Sequence, residues 1–466
     1  MGDFTGPVVA LFVDVDRTYG SGLQEQLETL LREAIRGGRL ASGQRLPSSR
    51  GLATQLGVSR GTVSAAYGQL AAEGYVTSRQ GAPVQVARSL RSTRDVPVAE
   101  PLEPKLPYDF NPALPDLAAF PRGRWLRALR RAWRESPLDT AGYGDPRGAP
   151  VLREQLAAYL GRVRGAAADP EQLIICNGFA RGFALLCRQL LRQGIERIAV
   201  EDPGMHAHRV IAEHSGLELA PVPVDGEGLA IDALRTGGAQ AVLITPAHQF
   251  PTGVVLSRSR RSELIEWAEA EDALIIEDDY DTELRYDGPP VGALQGLAPE
   301  HVVLIGSASK RLVPGLRLAW MLTPAWLTWQ LVTNKTIEDS GTETIGQLAL
   351  ADFIASGELD RHLRRMRSNY RARRATLLQA LAEMLPQLRT AGSAAGLFEA
   401  VMLPESISEH GLITRAARRG VAVQGLEHHH YDHTGAPGLV LGYGNLAEPA
   451  LRQGLKLLAH ALAEGH

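Results

Sequence analysis

From Tyr108 to the C-terminus, short β-rich runs, apolar almost throughout, alternate with segments of helical periodicity; residues 172–175, 197–200, 241–244, 273–276 and 302–305 are examples. Runs that are apolar at every position, rather than at every second one, form strands only where both faces of a sheet are kept from water. Helices on both sides do that, so the pattern predicts an α/β unit with a mainly parallel sheet. No internal repeat is evident in the sequence.

With 466 residues the chain is too long for one hydrophobic core, and two or three domains are expected. Residues 88–107 are rich in Pro, Arg and Ser and poor in aromatics. That composition buries too little apolar surface to fold, and it reads as a semi-extended linker between a compact unit over 17–87 and the α/β unit over 108–466. The net charge of -3 conceals an asymmetry: between Arg17 and Arg94 there are eleven arginines, no lysine and four acidic residues. A basic module on an acidic body implies a polyanionic partner. The two cysteines, Cys176 and Cys187, give no disulfide framework and fit a reducing compartment. No apolar run reaches about 18 residues, so no membrane span is expected. Asp3, Asp14 and Asp16 stand where a secretory signal needs positive charge, and a cytoplasmic location is expected.

In the basic module Leu23, Leu27, Leu30, Leu31, Ala34 and Ile35 recur at helical spacing until Gly37-Gly38. Ser48 is placed to cap a helix running to Leu56, and Ser59 to cap another from Arg60 to about Glu73, with Gly57 between them and Gly74 after. Two short helices joined through a glycine turn form a helix-turn-helix, whose second helix enters the major groove with its N-terminal residues. Those residues, Ser59, Arg60, Gly61, Thr62 and Ser64, are short or are arginine, as close approach to bases and phosphates requires. Residues 75–86 alternate as a small hairpin would, with Arg79-Gln80-Gly81 at its tip. Residues 38–81 resemble the GntR-type winged helix along their whole length. The resemblance implies binding of double-stranded DNA, with contacts from Arg50, Ser59, Arg60, Thr62, Ser64, Gln80 and Gly81. Several GntR relatives carry arginine where this chain has Ser64.

The α/β region holds three elements in order. Ile174-Ile175-Cys176-Asn177-Gly178-Phe179-Ala180-Arg181-Gly182 is a strand followed by a glycine-opened helix, whose free backbone N–H groups suit a phosphate. Ile275-Ile276-Glu277-Asp278-Asp279-Tyr280-Asp281 is a strand running into acids. Gly306-Ser307-Ala308-Ser309-Lys310 follows the apolar run 302–305, with Arg317 seven residues on; Lys310 is one of only four lysines, the others being Lys105, Lys335 and Lys456. A lysine among small hydroxyl residues, near an arginine that can fork onto a phosphate, suits a covalent imine with a phosphate-bearing aldehyde. The strand-end acids also suit Mg²⁺, but no phosphate-cradling GxxxxGK[ST] accompanies them.

These residues resemble fold-type I, aspartate-aminotransferase-like proteins, which bind pyridoxal 5′-phosphate (PLP). Further matches are Tyr143-Gly144-Asp145-Pro146-Arg147-Gly148, Glu201-Asp202-Pro203-Gly204, the stretch from Thr245 to Gly253, and Leu441-Gly442-Tyr443. A GntR winged helix joined to such a domain is the architecture of the MocR subfamily of bacterial transcription regulators, and the resemblance covers nearly the whole chain. It implies a head-to-tail homodimer and a PLP domain that senses a ligand. It assigns the cofactor to Lys310, Asp278 (pyridine nitrogen), Tyr280 (phenolic oxygen), Arg317, Ser307, Ser309, Gly178, Phe179, Ala180, Met205 and His248.

The chain departs from working aminotransferases at several places. Met205 stands where an aromatic covers the PLP ring, Phe250 replaces an asparagine, and Val440 replaces the arginine that clamps a substrate carboxylate; Phe179 and Ala180 replace a polar pair in the phosphate loop. No catalytic residue is therefore assigned, and within the subfamily the chain resembles the PdxR-type regulators, which control vitamin B6 synthesis according to PLP supply. The alternatives are a sensor of an amino acid or amine of the GabR kind, with Arg209 or Arg181 substituting for the clamp, and a PLP-dependent aminotransferase. His428-His429-His430 with Asp432 and His433 has the residue types of a metal cluster. Consecutive histidines on a loop bind metal adventitiously, so no metal is assigned; one of them is placed to enter the PLP pocket, since Leu441-Gly442-Tyr443 follows closely.

Overall fold

The computed structural model describes residues 22–78, 82–87, 106–137, 140, 142–286, 288 and 291–464. The chain divides into two compact units about residue 103. That division falls within the expected linker, of which residues 88–105 lie outside the described residues.

In the first unit the expected helices form with their expected caps. They span Leu23–Arg36, Ser49–Leu56 and Arg60–Ala72. Ser48 Oγ accepts from Gly51 N–H at 3.1 Å and Ser59 Oγ from Thr62 N–H at 3.0 Å, satisfying N–H groups that a helix start leaves unpaired. Gly57 ends the second helix in the left-handed region, at φ 63°, where a side chain is disfavoured. Leu27, Leu31, Leu52, Val63, Leu70 and Val76 form one small core. Val76–Thr77 pairs antiparallel with Gln85–Val86 as the base of the hairpin. Gln80 and Gly81, expected at a hairpin tip, lie outside the described residues.

The second unit is built on an eight-stranded sheet. Its spatial order is Leu173–Cys176, Ala319–Leu322, Val302–Ser307, Leu274–Asp279, Ala241–Ile244, Arg197–Asp202, Glu218–Asp225 and Gly228–Leu229. The expected strands are present and pair in parallel where they are neighbours. Ala319–Leu322 runs antiparallel between Leu173–Cys176 and Val302–Ser307. Three strands extend well beyond their apolar runs, to Asp202, Asp279 and Ser307, because ladder bonds join backbones whatever the side chains. Separate hydrophobic cores cover the two faces, one containing Ile174, Ile276 and Ile305, another Val242, Ile275 and Val302. A four-stranded antiparallel sheet, with Phe398–Met402 and Gly438–Gly442 at its centre, lies toward the C-terminus. No helix among the described residues is long and apolar enough to cross a membrane.

Candidate functional site

A cavity of about 390 Å³ opens at the C-terminal ends of the central parallel strands, where loops rather than ladder bonds hold the backbone. Asp278, Tyr280, Ser307, Ser309, Lys310, Arg317, Phe179, Ala180 and Met205 all line it. Residues distant in sequence thus meet as expected.

Strand parity divides the acids. Successive side chains point to opposite faces, so Asp278 faces the cavity while Glu277 and Asp279 face the other way. Behind the strand, Arg311 donates to Asp279 Oδ2 at 2.9 Å and Glu283 Oε1 at 2.8 Å, and Arg164 Nε lies 3.3 Å from Asp279. These groups form a buried ion network, which accounts for the strand-end acids that suited Mg²⁺ on sequence grounds. Arg311 also donates to the Ser307 carbonyl at 2.8 Å, so the residue after Lys310 ties the lysine's short helix, Ala308–Arg311, to the strand.

Asp278 has no guanidinium on it and is 5 % exposed. Burial, then the neighbouring Asp279 and Asp281, pushes its carboxyl well above the usual range. Its near partner is His208, with Nε2 3.4 Å from Oδ2. Burial lowers the His208 pKa to about 3, so the ring is neutral, and it stacks on Phe179 at 4.5 Å. A buried carboxyl without a cationic partner suits a ligand that brings its own protonated nitrogen. Lys310 Nζ donates to the Ala113 carbonyl, and burial lowers its pKa to about 8 against the opposing pull of Asp281 and Asp278. Such an amine is partly neutral at physiological pH and is therefore a nucleophile.

At the other end of the cavity, the helix Phe179–Arg192 starts from Gly178, which has φ 86°. Arg317 donates to the Asn177 carbonyl at 3.1 Å and packs so closely on Gly178 that a Cβ there would stand 2.3 Å from the guanidinium. Ser307, Ser309 and Arg317 converge with the first residues of this helix, the donor set a phosphate needs.

Several expected site residues lie outside the cavity lining or are engaged by other groups. His248 does not line the cavity; its Nδ1 lies 2.8 Å from Asp281 Oδ2 and its ring stacks on Phe398, so it stands behind Tyr280. Gly178 is not part of the lining and packs against Arg317, which is. Tyr280 turns its hydroxyl proton to the His248 carbonyl at 2.8 Å. Neither proposed substitute clamp is available. Arg209 is committed to the carbonyls of His428 at 3.2 Å and His430 at 3.1 Å, and Arg181 lines a different cleft beside Lys335. Val440 lies fully buried against Phe250, Tyr280 and Phe398. Two histidines of the C-terminal run, His428 and His429, do line the cavity. His208 and Arg311 were not singled out from the sequence; the alternation around His206 and His208 was the available signal for the former.

In the first unit Arg50, Ser59, Arg60 and Ser64 are exposed and Thr62 is half-buried, all on the starts of the second and third helices. The Ser59 hydroxyl is occupied by its cap and by Thr62 Oγ1 at 2.9 Å, so it shapes the helix start more than it reaches outward.

Residues 23–86 match the gntR family of bacterial regulatory proteins, and residues 116–437 match the aminotransferase class I and II family. The chain is 36% identical to the HTH-type pyridoxine biosynthesis transcriptional regulator PdxR of Corynebacterium glutamicum, over 96% of this chain and 97% of that protein. It is 31% identical to the probable rhizopine catabolism regulatory protein MocR of Rhizobium meliloti, over 96% and 95%. Among solved structures it is similar to an archaeal alanine:glyoxylate aminotransferase, with TM-score 0.71, 26% identity, and coverage of 78% of this chain and 92% of that one. It is likewise similar to the kynurenine aminotransferase of Pyrococcus horikoshii, solved in complex with PMP, with TM-score 0.70, 25% identity and coverage of 78% and 92%.

Proposed function

The chain belongs to the MocR-type GntR transcription regulators, and from that membership we propose that it carries PLP on Lys310 and regulates vitamin B6 synthesis in response to PLP itself. The observation that carries this is the cavity's lining: Lys310, Asp278, Tyr280, Ser307, Ser309 and Arg317 suit PLP, and among the described lining residues no lysine or arginine besides Lys310 and Arg317 remains for an amino acid's carboxylate.

The residues present fit the group. Asp278 is a buried carboxyl that forms no ion pair with a lysine or arginine among the described residues, and a protonated pyridine nitrogen would supply that partner. Lys310 is a half-buried amine that lines the cavity and would attack an aldehyde there, and Ser307, Ser309, Arg317 and the backbone at Phe179 and Ala180 would form the phosphate end. Met205 and Tyr280 line the same cavity and would border the ring. When bound, PLP supplies an electrophilic carbon conjugated to an electron-withdrawing ring. Asp278 keeps that ring's nitrogen protonated, and Arg311 fixes the turn that aims Lys310.

Sensing rather than turnover is the role assigned. Amino-acid chemistry needs the substrate's carboxylate held in a fixed place, and the cavity offers the apolar Phe250 and Met205, with Val440 buried behind Phe250. The protein acts in the cytoplasm as a head-to-tail homodimer, so that two winged helices meet two half-sites on double-stranded DNA. Arg50, Arg60, Thr62 and Ser64 present the DNA-reading surface, with Gln80 and Gly81 at the wing.

DNA titrations at fixed salt test this, since phosphate contacts make affinity steeply salt-dependent. PLP is expected to change operator affinity several-fold, whereas α-, β- and γ-amino acids leave it unchanged. A ligand shifts the equilibrium only by its differential affinity for the two states, so an amino acid that alters DNA binding would overturn the PLP reading. Separately, Arg60→Ala is expected to weaken specific binding by about 1–3 kcal/mol, while Arg50→Ala mainly lowers the salt slope. Equal operator affinity of Arg60→Ala and the parent at several salt concentrations would displace Arg60 from the recognition surface.

A further inference from the structure

A second cavity, of about 270 Å³, opens between the helices Pro150–Arg164 and Glu358–Met384, where Glu283 of the far-side ion network reaches its lining. One water needs roughly 10–15 Å³ of such space, so a small organic molecule has room there. Glu283 is 4 % exposed, and its Oε2 has no hydrogen-bond partner among the described residues. The other oxygen is engaged twice, accepting from Arg311 Nε at 2.8 Å and from the Tyr159 hydroxyl at 3.1 Å. Arg311 already meets the carboxylate's charge, and what is left is a buried acceptor without a hydrogen. Leaving it so costs free energy that an occupant with a donor can recover.

The rest of the polar lining is mainly cationic. Arg162, Arg364 and Arg367 border the cavity, with Asp360 as the one further carboxylate among the described lining residues. Arg162 donates to Asp360 at 2.8 Å and lies over the Tyr159 ring, so those two charges satisfy each other. Arg364 and Arg367 stand three residues apart on one helix face and have no hydrogen bond or ion pair among the described residues. Guanidinium forks match an anion with several oxygens, phosphate above all. An arginine pair on an open surface is ordinarily satisfied by water. These two instead share a cavity with a buried acceptor, so the space has an anion end and a hydrogen-accepting end.

We propose that this cavity is a binding site for small phosphate monoesters that carry a hydroxyl, separate from the cavity that Lys310 lines. The phosphate takes Arg364 and Arg367, and the hydroxyl donates to Glu283 Oε2. That donor is what selects among anions. Sulfate, simple alkyl phosphates and the phosphodiesters of duplex DNA have no hydroxyl to give, and each leaves the buried oxygen unpaired. Because Glu283 and the Ser307 carbonyl share Arg311, an occupant stands a few hydrogen bonds from the turn that bears Lys310.

The test is a calorimetric titration of the full chain carrying Arg317→Met, a change at an exposed position that removes the guanidinium of the other phosphate end. The ligands are matched pairs: 2-hydroxyethyl and ethyl phosphate, 3-hydroxypropyl and propyl phosphate, 4-hydroxybutyl and butyl phosphate. Within each pair only the terminal hydroxyl differs. At least one hydroxylated ester is expected to bind about tenfold or more tightly than its partner, the factor that about 1.4 kcal/mol confers. Arg364 is exposed and Arg367 half-buried, so Arg364→Met with Arg367→Met should leave the thermal midpoint nearly unchanged. Together they are expected to weaken the binding of every ester about tenfold or more. The proposal is overturned if no ester binds, if the members of every pair bind alike, or if the two arginine substitutions leave the affinities as they were. It is also overturned if duplex DNA without an operator displaces the esters, since the arginines would then be a contact for the nucleic-acid backbone. These outcomes do not depend on PLP: failure of borohydride to label Lys310 in the PLP-treated parent overturns the PLP reading alone, whereas a labelled parent with flat ester titrations overturns this proposal alone.

Discussion

Lys310→Ala is expected to abolish the visible absorbance of PLP-loaded protein and the phosphopyridoxyl adduct that borohydride leaves, the largest single effect on ligand binding that the cavity allows. Lys310 is the only lysine lining the cavity among the described residues. Lys335 is buried but ion-paired, its Nζ 2.8 Å from both oxygens of Asp339, and it lines another cleft. An adduct mapped to Lys335 would therefore sink the assignment. The variant retains the phosphate contacts at Ser307, Ser309 and Arg317, so it should still take PLP weakly and reversibly. The pH dependence follows from the lysine's environment. Burial lowers its pKa to about 8, so about one molecule in ten carries the neutral amine at pH 7, against a few in ten thousand for an ordinary lysine. Because only the neutral amine attacks, the rate of PLP uptake by apoprotein is expected to rise about tenfold per pH unit up to about pH 8 and then level off. A rate still climbing at that slope near pH 10 would mean that Lys310 is not desolvated as the fold places it.

How much of this was legible in the sequence depended on the range of the interaction involved. Ser48 and Ser59 act within three residues of themselves, and both caps stand where expected. Asp278, Lys310 and Arg317 sit at strand ends, and a parallel sheet brings strand ends together whatever its details, so their convergence was also readable. The direction of Ala319–Leu322 was not, because an apolar run fixes a strand but says nothing of its polarity. His429 and His208 come from loops and helices far from the lysine in sequence. Their place in the cavity depends on how Arg209 gathers the C-terminal loop, a contact spanning 219 residues. Arg311 was hidden differently: it adjoins Lys310, yet its guanidinium works on the sheet's far side. The parity of Glu277, Asp278 and Asp279 along one strand was the available signal that those acids serve two different purposes.

That far-side network predicts the largest stability effect. Arg311→Met is expected to destabilise the second unit by about 3–5 kcal/mol, the usual consequence of removing one partner from a buried ion network. Methionine fills similar volume but leaves Asp279 and Glu283, both almost wholly buried, without their main cation. Arg164 remains near Asp279 at 3.3 Å but makes no ion pair with Glu283 among the described residues, so compensation is partial. Two backbone carbonyls, those of Asp279 and Ser307, lose their donor as well. For a unit of this size the thermal midpoint should fall by about 4–7 °C. A merely local packing defect would give a fall that added simply to those of its neighbours. The ion network instead predicts coupling: Glu283→Gln on its own destabilises, but in the Arg311→Met background it removes an unpaired buried charge and recovers part of the loss. Since Arg311 also ties the turn bearing Lys310 to Ser307, PLP affinity should weaken in Arg311→Met even well below its midpoint. An Arg311→Met chain as stable as the parent, or a Glu283→Gln effect unchanged by the first substitution, would show that the network does not hold the lysine in place.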